Sequence, residues 1–201
     1  QALAEFRKAF GTFFKVRDTG EPKDFTGCEV YRDRSKGVCR FTQTKYIEKM
    51  GQQYKVQPLH GEGPFAPMEH SVKLVHAADG DSEVRVDPTE FRSIVGALHY
   101  AAHCTRPDVA ATVSILSKFL VDPSAAHMHQ AKHCLAYLLA TKNIGIEYRR
   151  DPLTGPTSAP FPPKIVAGYA DASFADDVAT RRSHTGYVFM LNGGAVSWCS
   201  R

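Results

Sequence analysis

The 201-residue sequence predicts an α+β fold, with hairpin and helices first, a helical middle, and a β-rich end. Three observations predict it. Apolar residues between 90 and 141 recur at helical spacing, whereas from 164 onward the period changes to two. Residues 151–163 hold five prolines and a glycine and separate the two regimes as a linker. Asn192-Gly193 lies between alternating apolar runs, the strongest short hairpin signal, because both turn positions need positive φ.

Taken in order, residues 2–14 read as a short helix with Leu3, Phe6, Phe10 and Phe13 on one stripe. Gly20-Glu21-Pro22 ends it. Residues 24–42 read as a hairpin, with arms 25–32 and 38–42 around the loop 33–37. Thr42 is placed to cap a helix over 43–54, where Tyr46, Ile47, Met50 and Tyr54 share a face. Residues 56–89 carry four prolines and an acidic run, and read as a long connector. A helix starts at Asp87-Pro88-Thr89-Glu90 with the stripe Phe91, Ile94, Val95 and Leu98. Thr105-Arg106-Pro107-Asp108 interrupts it, since proline disfavours helix in the residue before it. A second helix carries Val109, Val113, Leu116 and Leu120 and breaks at Asp122-Pro123-Ser124. A third, about 124–141, buries Ala131, Cys134, Leu135, Leu138 and Leu139, and a strand follows at 144–149. Strands are expected at 164–174, 187–191 and 194–200, with the first and third of them side by side and Asp171 next to a vacant edge.

Hydrophobic residues make up 43% and charged residues 23%, which excludes a disordered chain, a collagen and a coiled-coil rod. No apolar run approaches the roughly 20 residues that cross a bilayer. Five cysteines with no CxxC spacing argue for reduced thiols in an intracellular compartment. Net charge is uneven along the chain: +5 over 1–60, −5 over 61–90, +4 over 91–150 and 0 over 151–201. Basic blocks suit a phosphate backbone. The chain opens on Gln1 with no signal-peptide pattern, and is read as a piece of something longer.

Several motifs carry a resemblance. Residues 91–100 (FRSIVGALHY), followed by Thr105-Arg106-Pro107-Asp108-Val109, form the first. His127, Ala131-Lys132, Tyr137-Leu138 and Thr141 to Gly145 form the second. Residues 168–177 (GYADASFADD), 181–189 (RRSHTGYVF) and 194–198 (GAVSW) form the third. Residues 25–30 (FTGCEV), Lys45-Tyr46-Ile47 and Ala66-Pro67-Met68-Glu69 fit more weakly. Together, and in this order, they resemble the copia-type retrotransposon polyprotein in its reverse transcriptase and ribonuclease H region. Phe174 stands where the family has tryptophan, and Thr26 where its hairpin has leucine.

The resemblance implies an organisation. Residues 1–55 would be the end of the polymerase palm with a primer-grip-like hairpin, 56–89 a connector, and 90–150 a helical thumb and connection. After the linker at 151–163, residues 164–201 would be the first strands of a ribonuclease H-like mixed β-sheet, incomplete here. The parent would be an RNA-directed DNA polymerase that also degrades the RNA strand, with Mg²⁺ or Mn²⁺ as cofactor, two ions clamping the reacting oxygens. Its polymerase Asp pair is absent, since Asp176-Asp177 does not match it. Asp171 matches one carboxylate of ribonuclease H and is the candidate catalytic and metal residue. One Asp cannot hold two ions, so this chain is expected to bind no cofactor and to be inactive alone. Partners would be a template-primer duplex and the rest of the polyprotein, not a membrane. The location would be a cytoplasmic particle or the nucleus.

Lys15, Arg17, Arg32, Arg34, Lys36 and Arg40 gather around the first hairpin as a candidate nucleic-acid face, with Phe13, Phe14, Tyr31 and Phe41 interleaved. Arg106 is a candidate bidentate phosphate ligand or else a structural partner of Asp108. Arg181 and Arg182 are candidate backbone contacts or a solvated loop. His99/His103 and His129/His133, each four apart beside Cys104 and Cys134, allow a tetrahedral zinc site, although helix-surface histidines are the commoner case. The rival function is a non-catalytic nucleic-acid-binding or protein-interaction relic of a decayed element. A soluble α+β protein that binds no nucleic acid is the third reading.

Overall fold

The computed structural model of the chain describes residues 2–17, 20–60, 66–69, 72, 74–75, 84–151, 165–173, 181 and 183–201. The Pro-rich stretch beyond Asp151, and Phe174, Asp176, Asp177 and Arg182, lie outside these residues.

Helix α1 (Ala2–Gly11) buries none of its residues. Of the expected stripe, Phe6 and Phe10 stack at 5.4 Å, but Phe14 rather than Phe13 continues it, tilted against Phe10 at 4.8 Å beyond the helix end, and all of it lies open to solvent. The first hairpin is more elaborate than its sequence implies. The arm expected at 25–32 is two strands, β1 (Asp24–Phe25) and β2 (Cys28–Asp33), which pair antiparallel. Thr26 and Gly27 between them have φ of 46° and 77°, and two successive positive φ values make a tight hairpin turn. The Tyr100 hydroxyl donates to the Thr26 carbonyl and holds this turn on the helices.

Strand β3 (Val38–Thr42) follows and leads into α2 (Thr44–Tyr54). Thr42 does not cap this helix. The Glu29 carboxylate accepts from the backbone N–H of Thr44 at 2.8 Å and of Lys45 at 2.9 Å, and the Thr42 hydroxyl donates to it at 3.1 Å. A carboxylate from the neighbouring strand therefore satisfies the open N–H groups and complements the positive helix end.

Helix α3 (Pro88–Cys104) begins as expected, with the Asp87 carboxylate accepting from Thr89 N at 2.9 Å. A 3₁₀ turn (Pro107–Val109), α4 (Ala110–Leu116), a second 3₁₀ turn (Ser117–Phe119) and α5 (Ala125–Ala140) complete the helices. Their stripes close one core in which Ile47, Phe91, Ile94, Leu98, Leu135 and Leu138 are fully buried. Strand β4 (Ile146–Arg149) then returns to pair antiparallel with β3, giving the order β1-β2-β3-β4. Residues 24–42 and 146–149 thus share one sheet across the boundary expected between 1–55 and 90–150.

Strands β5 (Ala167–Ser173), β6 (His184–Leu191) and β7 (Gly194–Ser200) form a second sheet. Its order is β5-β6-β7, so the first and third strands are not neighbours. Two successive antiparallel connections force β6 between them, and Asn192 (φ 51°) and Gly193 (φ 85°) make the second turn as expected. Among the described residues every strand pairs antiparallel; the mixed sheet expected here is not seen. The sheet docks on the helices through Trp198, whose indole N–H donates to Ala102 O at 2.8 Å, and on β4 through the Tyr148 hydroxyl, which donates to Ala195 O at 2.6 Å. Gly194 is needed here because a Cβ would stand 2.6 Å from the Tyr148 ring. No described helix is long and apolar enough to cross a membrane.

At the joint between α3 and α4, Arg106 is fully buried. Its Nε donates to Asp108 Oδ1 at 3.0 Å and its Nη2 to Oδ2 at 2.7 Å. Nη1 donates to Thr141 O at 3.1 Å, and Nη2 to Thr141 Oγ1 at 2.7 Å. The Tyr137 hydroxyl also donates to Asp108 Oδ2 at 2.7 Å, and the guanidinium lies 5.4 Å from the Tyr137 ring centre. Burial alone would raise the Asp108 carboxyl, but the hydrogen bonds and charge of Arg106, with the Tyr137 hydroxyl, hold it below the ordinary carboxylate range.

Two outcomes are expected. Arg106→Met leaves Asp108, whose side chain is 35% exposed, without its cation and the Thr141 carbonyl without its donor, and destabilises the fold by about 1–3 kcal/mol, read by urea unfolding. Because the folded Asp108 carboxyl lies below its unfolded value of about 3.9, its contribution is complete above that pH and disappears as pH falls through the folded value. The thermal midpoint of the wild type should therefore drop more steeply below about pH 4 than that of Asp108→Asn.

Candidate nucleic-acid interface

The β2–β3 hairpin presents Arg32, Arg34, Lys36 and Arg40, all exposed. Asp33 orders the turn: its Oδ1 accepts from Ser35 Oγ at 2.6 Å and from Lys36 N at 3.0 Å, which hold its carboxyl below the ordinary range. Arg34 donates to Glu21 Oε1 from Nε at 2.8 Å and from Nη2 at 2.6 Å, and lowers the Glu21 carboxyl. Arg40 Nε donates to Glu147 Oε2 at 2.7 Å, and Arg149 pairs with the same carboxylate. Burial would raise Glu147, but these two cations reverse the effect and hold it low.

Pairing of β4 with β3 adds two cations that the hairpin alone does not contain. Arg149 N donates to Asn192 O at 2.9 Å, and Arg150 N donates to Gly37 O at 2.8 Å. Arg150 Nη2 reaches Arg34 O at 3.2 Å. Arg32, Arg34, Tyr148, Arg149, Arg150 and Asn192 all line one cleft of about 350 Å³. Arg32, Arg34, Arg149 and Arg150 line this cleft with Asp33 beside them, whereas Lys36 and Arg40 are exposed on the same hairpin but do not line it. Sequence reasoning missed Arg149 and Arg150. The available signal was an Arg-Arg pair closing a strand, but only the β3–β4 register places it beside Arg32 and Arg34.

The other candidates separate. Lys15 and Arg17 are exposed beyond α1 and do not line this cleft. Phe13, Phe14 and Tyr31 are also exposed, whereas Phe41 packs edge-on against Tyr148 at 6.1 Å. Arg181 is exposed before β6, with φ of 56°, and also stands apart from the cleft; Arg182 lies outside the described residues. Arg106 is corrected from phosphate ligand to structural ion: its donors are spent on Asp108 and Thr141 inside the protein.

Asp171 lies exposed on β5, opposite Gly186, and its Oδ1 accepts from Ala172 N at 2.9 Å. It lines a second cleft of about 500 Å³ between the sheet and the start of α4, with Tyr169, Tyr187, Val188, Trp198 and Asp108. Asp108 is already held by Arg106 and Tyr137. Among the described residues no three His, Cys, Asp or Glu side chains converge at metal-ligand geometry, so these donors do not fit a two-metal centre. Nor do the two HxxxH pairs join: His99 and His103 stack at 4.1 Å on α3, while His129 and His133 lie on α5.

No family model matches the chain, and no solved structure matches it. The Pol polyprotein from transposon TNT 1-94 of Nicotiana tabacum is 30% identical over 99% of this chain, which spans 14% of that polyprotein. The Pol polyprotein from transposon RE1 of Arabidopsis thaliana is 37% identical over 94% of the chain, 12% of its own length. A shorter protein of Plasmopara viticola, named secreted RxLR effector protein 161, is 44% identical over 55% of the chain and 71% of itself. With likenesses that run along almost its whole length to transposon polyproteins, the chain belongs to the copia-type retrotransposon Pol polyprotein family.

Proposed function

We propose that this chain serves the reverse transcriptase and ribonuclease H region of a copia-type element, and that its own work is to hold a template-primer duplex. On this reading residues 1–55 are the palm end with a primer-grip-like hairpin, 90–150 thumb and connection, and 164–201 the first strands of ribonuclease H. RNA-directed DNA synthesis and RNA-strand degradation, with Mg²⁺ or Mn²⁺, belong to the parent polyprotein.

One observation carries the reading. Two segments more than a hundred residues apart in sequence converge four arginines, Arg32, Arg34, Arg149 and Arg150, on one cleft. Arginine forks match phosphate oxygens, and cations that neutralise phosphates release the counterions condensed on a nucleic-acid backbone, which drives binding. The open phenylalanine stripe of α1 favours an added protein contact, which is the core of the rival reading.

Binding of a labelled RNA–DNA hybrid between 50 and 200 mM salt tests the proposal. Affinity is expected to fall linearly on logarithmic axes, with a slope near −0.9 per neutralised phosphate. Arg32→Ala and Arg150→Ala should each weaken binding equally across sequences and reduce the slope by about 1. Salt-independent binding, or variants indistinguishable from wild type, would refute it. The purified chain is also expected not to cut the hybrid when Mg²⁺ or Mn²⁺ is supplied; metal-dependent cleavage would contradict that assignment.

A further inference from the structure

The register of the second sheet lines up a trough on the face that looks toward the helices. Tyr169, Val188 and Trp198 lie opposite one another across β5, β6 and β7, and Asp171, Gly186 and Ser200 form a second row. Side chains alternate along a strand, so rows two residues apart stand on one face. All six residues line the cleft of about 500 Å³, which Pro107, Ala110 and Ala111 close from the helix side.

Val188 and Gly186 are the floor of the trough. Tyr169 and Asp171 rise on one side, Trp198 and Ser200 on the other. Neighbouring strands are roughly 4.8 Å apart, so the two walls stand about 9.6 Å apart. A flat ring standing on Val188 would lie about 4.8 Å from each aromatic wall, within the roughly 4.5–7 Å at which rings attract. The indole N–H of Trp198 is spent on Ala102 O, which fixes that ring as a wall. Gly186 keeps its part of the floor open, since a Cβ there would meet only Cys199 O, at 3.7 Å.

The lining also selects the charge of an occupant. Asp108 at the rim is already paired with Arg106. Asp171 accepts a hydrogen bond from Ala172 N, and among the described residues no cation pairs with it. Its carboxylate lies one row beyond the aromatic pair, roughly 6.7 Å along the strand. Among the described lining residues there is no Lys, Arg or His, so a phosphate is repelled, whereas aromatic faces beside a carboxylate attract a cation.

We infer that this trough binds a small aromatic ammonium compound, its ring between Tyr169 and Trp198 over Val188 and its ammonium against Asp171. The cleft is of the size that small ligands occupy. An organic cation needs one carboxylate and aromatic faces, whereas a metal ion needs converging donors that this face does not supply. The site lies apart from the basic cleft and does not rest on duplex binding.

Trp198 is the single tryptophan of the chain, so its fluorescence reports the site directly. Titration of the full chain with phenethylammonium should change its emission saturably. Uncharged phenethyl alcohol should bind roughly fivefold or more weakly. Asp171 is exposed, so Asp171→Asn does not threaten the fold. That variant should bring the affinity for the ammonium down to that for the alcohol and leave the alcohol unaffected. Gly186→Val, which raises a side chain from the floor, should abolish binding of both. Adenosine monophosphate, of opposite charge, should not displace the ammonium. The inference is overturned by any of four results: no saturable change up to about 10 mM, equal affinity for ammonium and alcohol, a preference that survives Asp171→Asn, or displacement by the nucleotide. Binding that survives Gly186→Val would also overturn it.

Discussion

The pairing of the fully buried Arg106 with the part-exposed Asp108 is the constraint on which the rest of the structure rests. A guanidinium removed from water is costly unless its donors find partners, and this one makes two bonds to Asp108 and two to Thr141 at the C-terminus of α5. That requirement fixes where α3 stops, how the chain turns into α4, and how the end of α5 is presented. Thr141 is both the last residue of that contact and the cap of α5. Its position therefore sets the exit of the chain into β4, and with it the arginines that β4 carries.

A second constraint works from the other side of the core. Glu29 caps α2 from the neighbouring strand, and Tyr100 holds the Thr26–Gly27 turn on α3. The small sheet is thus tied to the helices twice at the end that carries the β1–β2 turn. Since β3 and β4 come from opposite ends of the helical core, the basic cleft exists only when that core is closed. Phosphate recognition, on the proposed reading, is a property of the tertiary fold and not of the hairpin sequence.

Much of the fold was legible in the sequence. The stripe Phe91, Ile94, Val95 and Leu98 is buried as its spacing implies, Asp87 caps α3, and Asn192-Gly193 turns β6 into β7. What was illegible shares one cause: it depends on residues distant in sequence. Thr42 looked like a cap because local rules see only neighbours, whereas Glu29 reaches α2 across a strand pair. The 25–32 arm looked continuous because Thr26 is a poor sign of a turn, even with Gly27 beside it. Arg106 was balanced between ligand and structural ion, and only its burial decides between them. Asp171 was singled out by its motif and weighed against a solvated acid at a strand end; its exposure is now seen, but the hydrogen bond from Ala172 N was not legible. The pairing of Arg149 and Arg150 with Arg32 and Arg34 needed the β3–β4 register, which no local pattern encodes.

The central claim is that the β1–β4 sheet and the helices form one cooperative unit locked at Arg106. Native-state amide hydrogen exchange reads this directly. The paired amides of Val38–Thr42 and Ile146–Arg149 are expected to open with the same free energy as those of α3 and α5. A sheet that exchanges freely while the helices remain protected would contradict it.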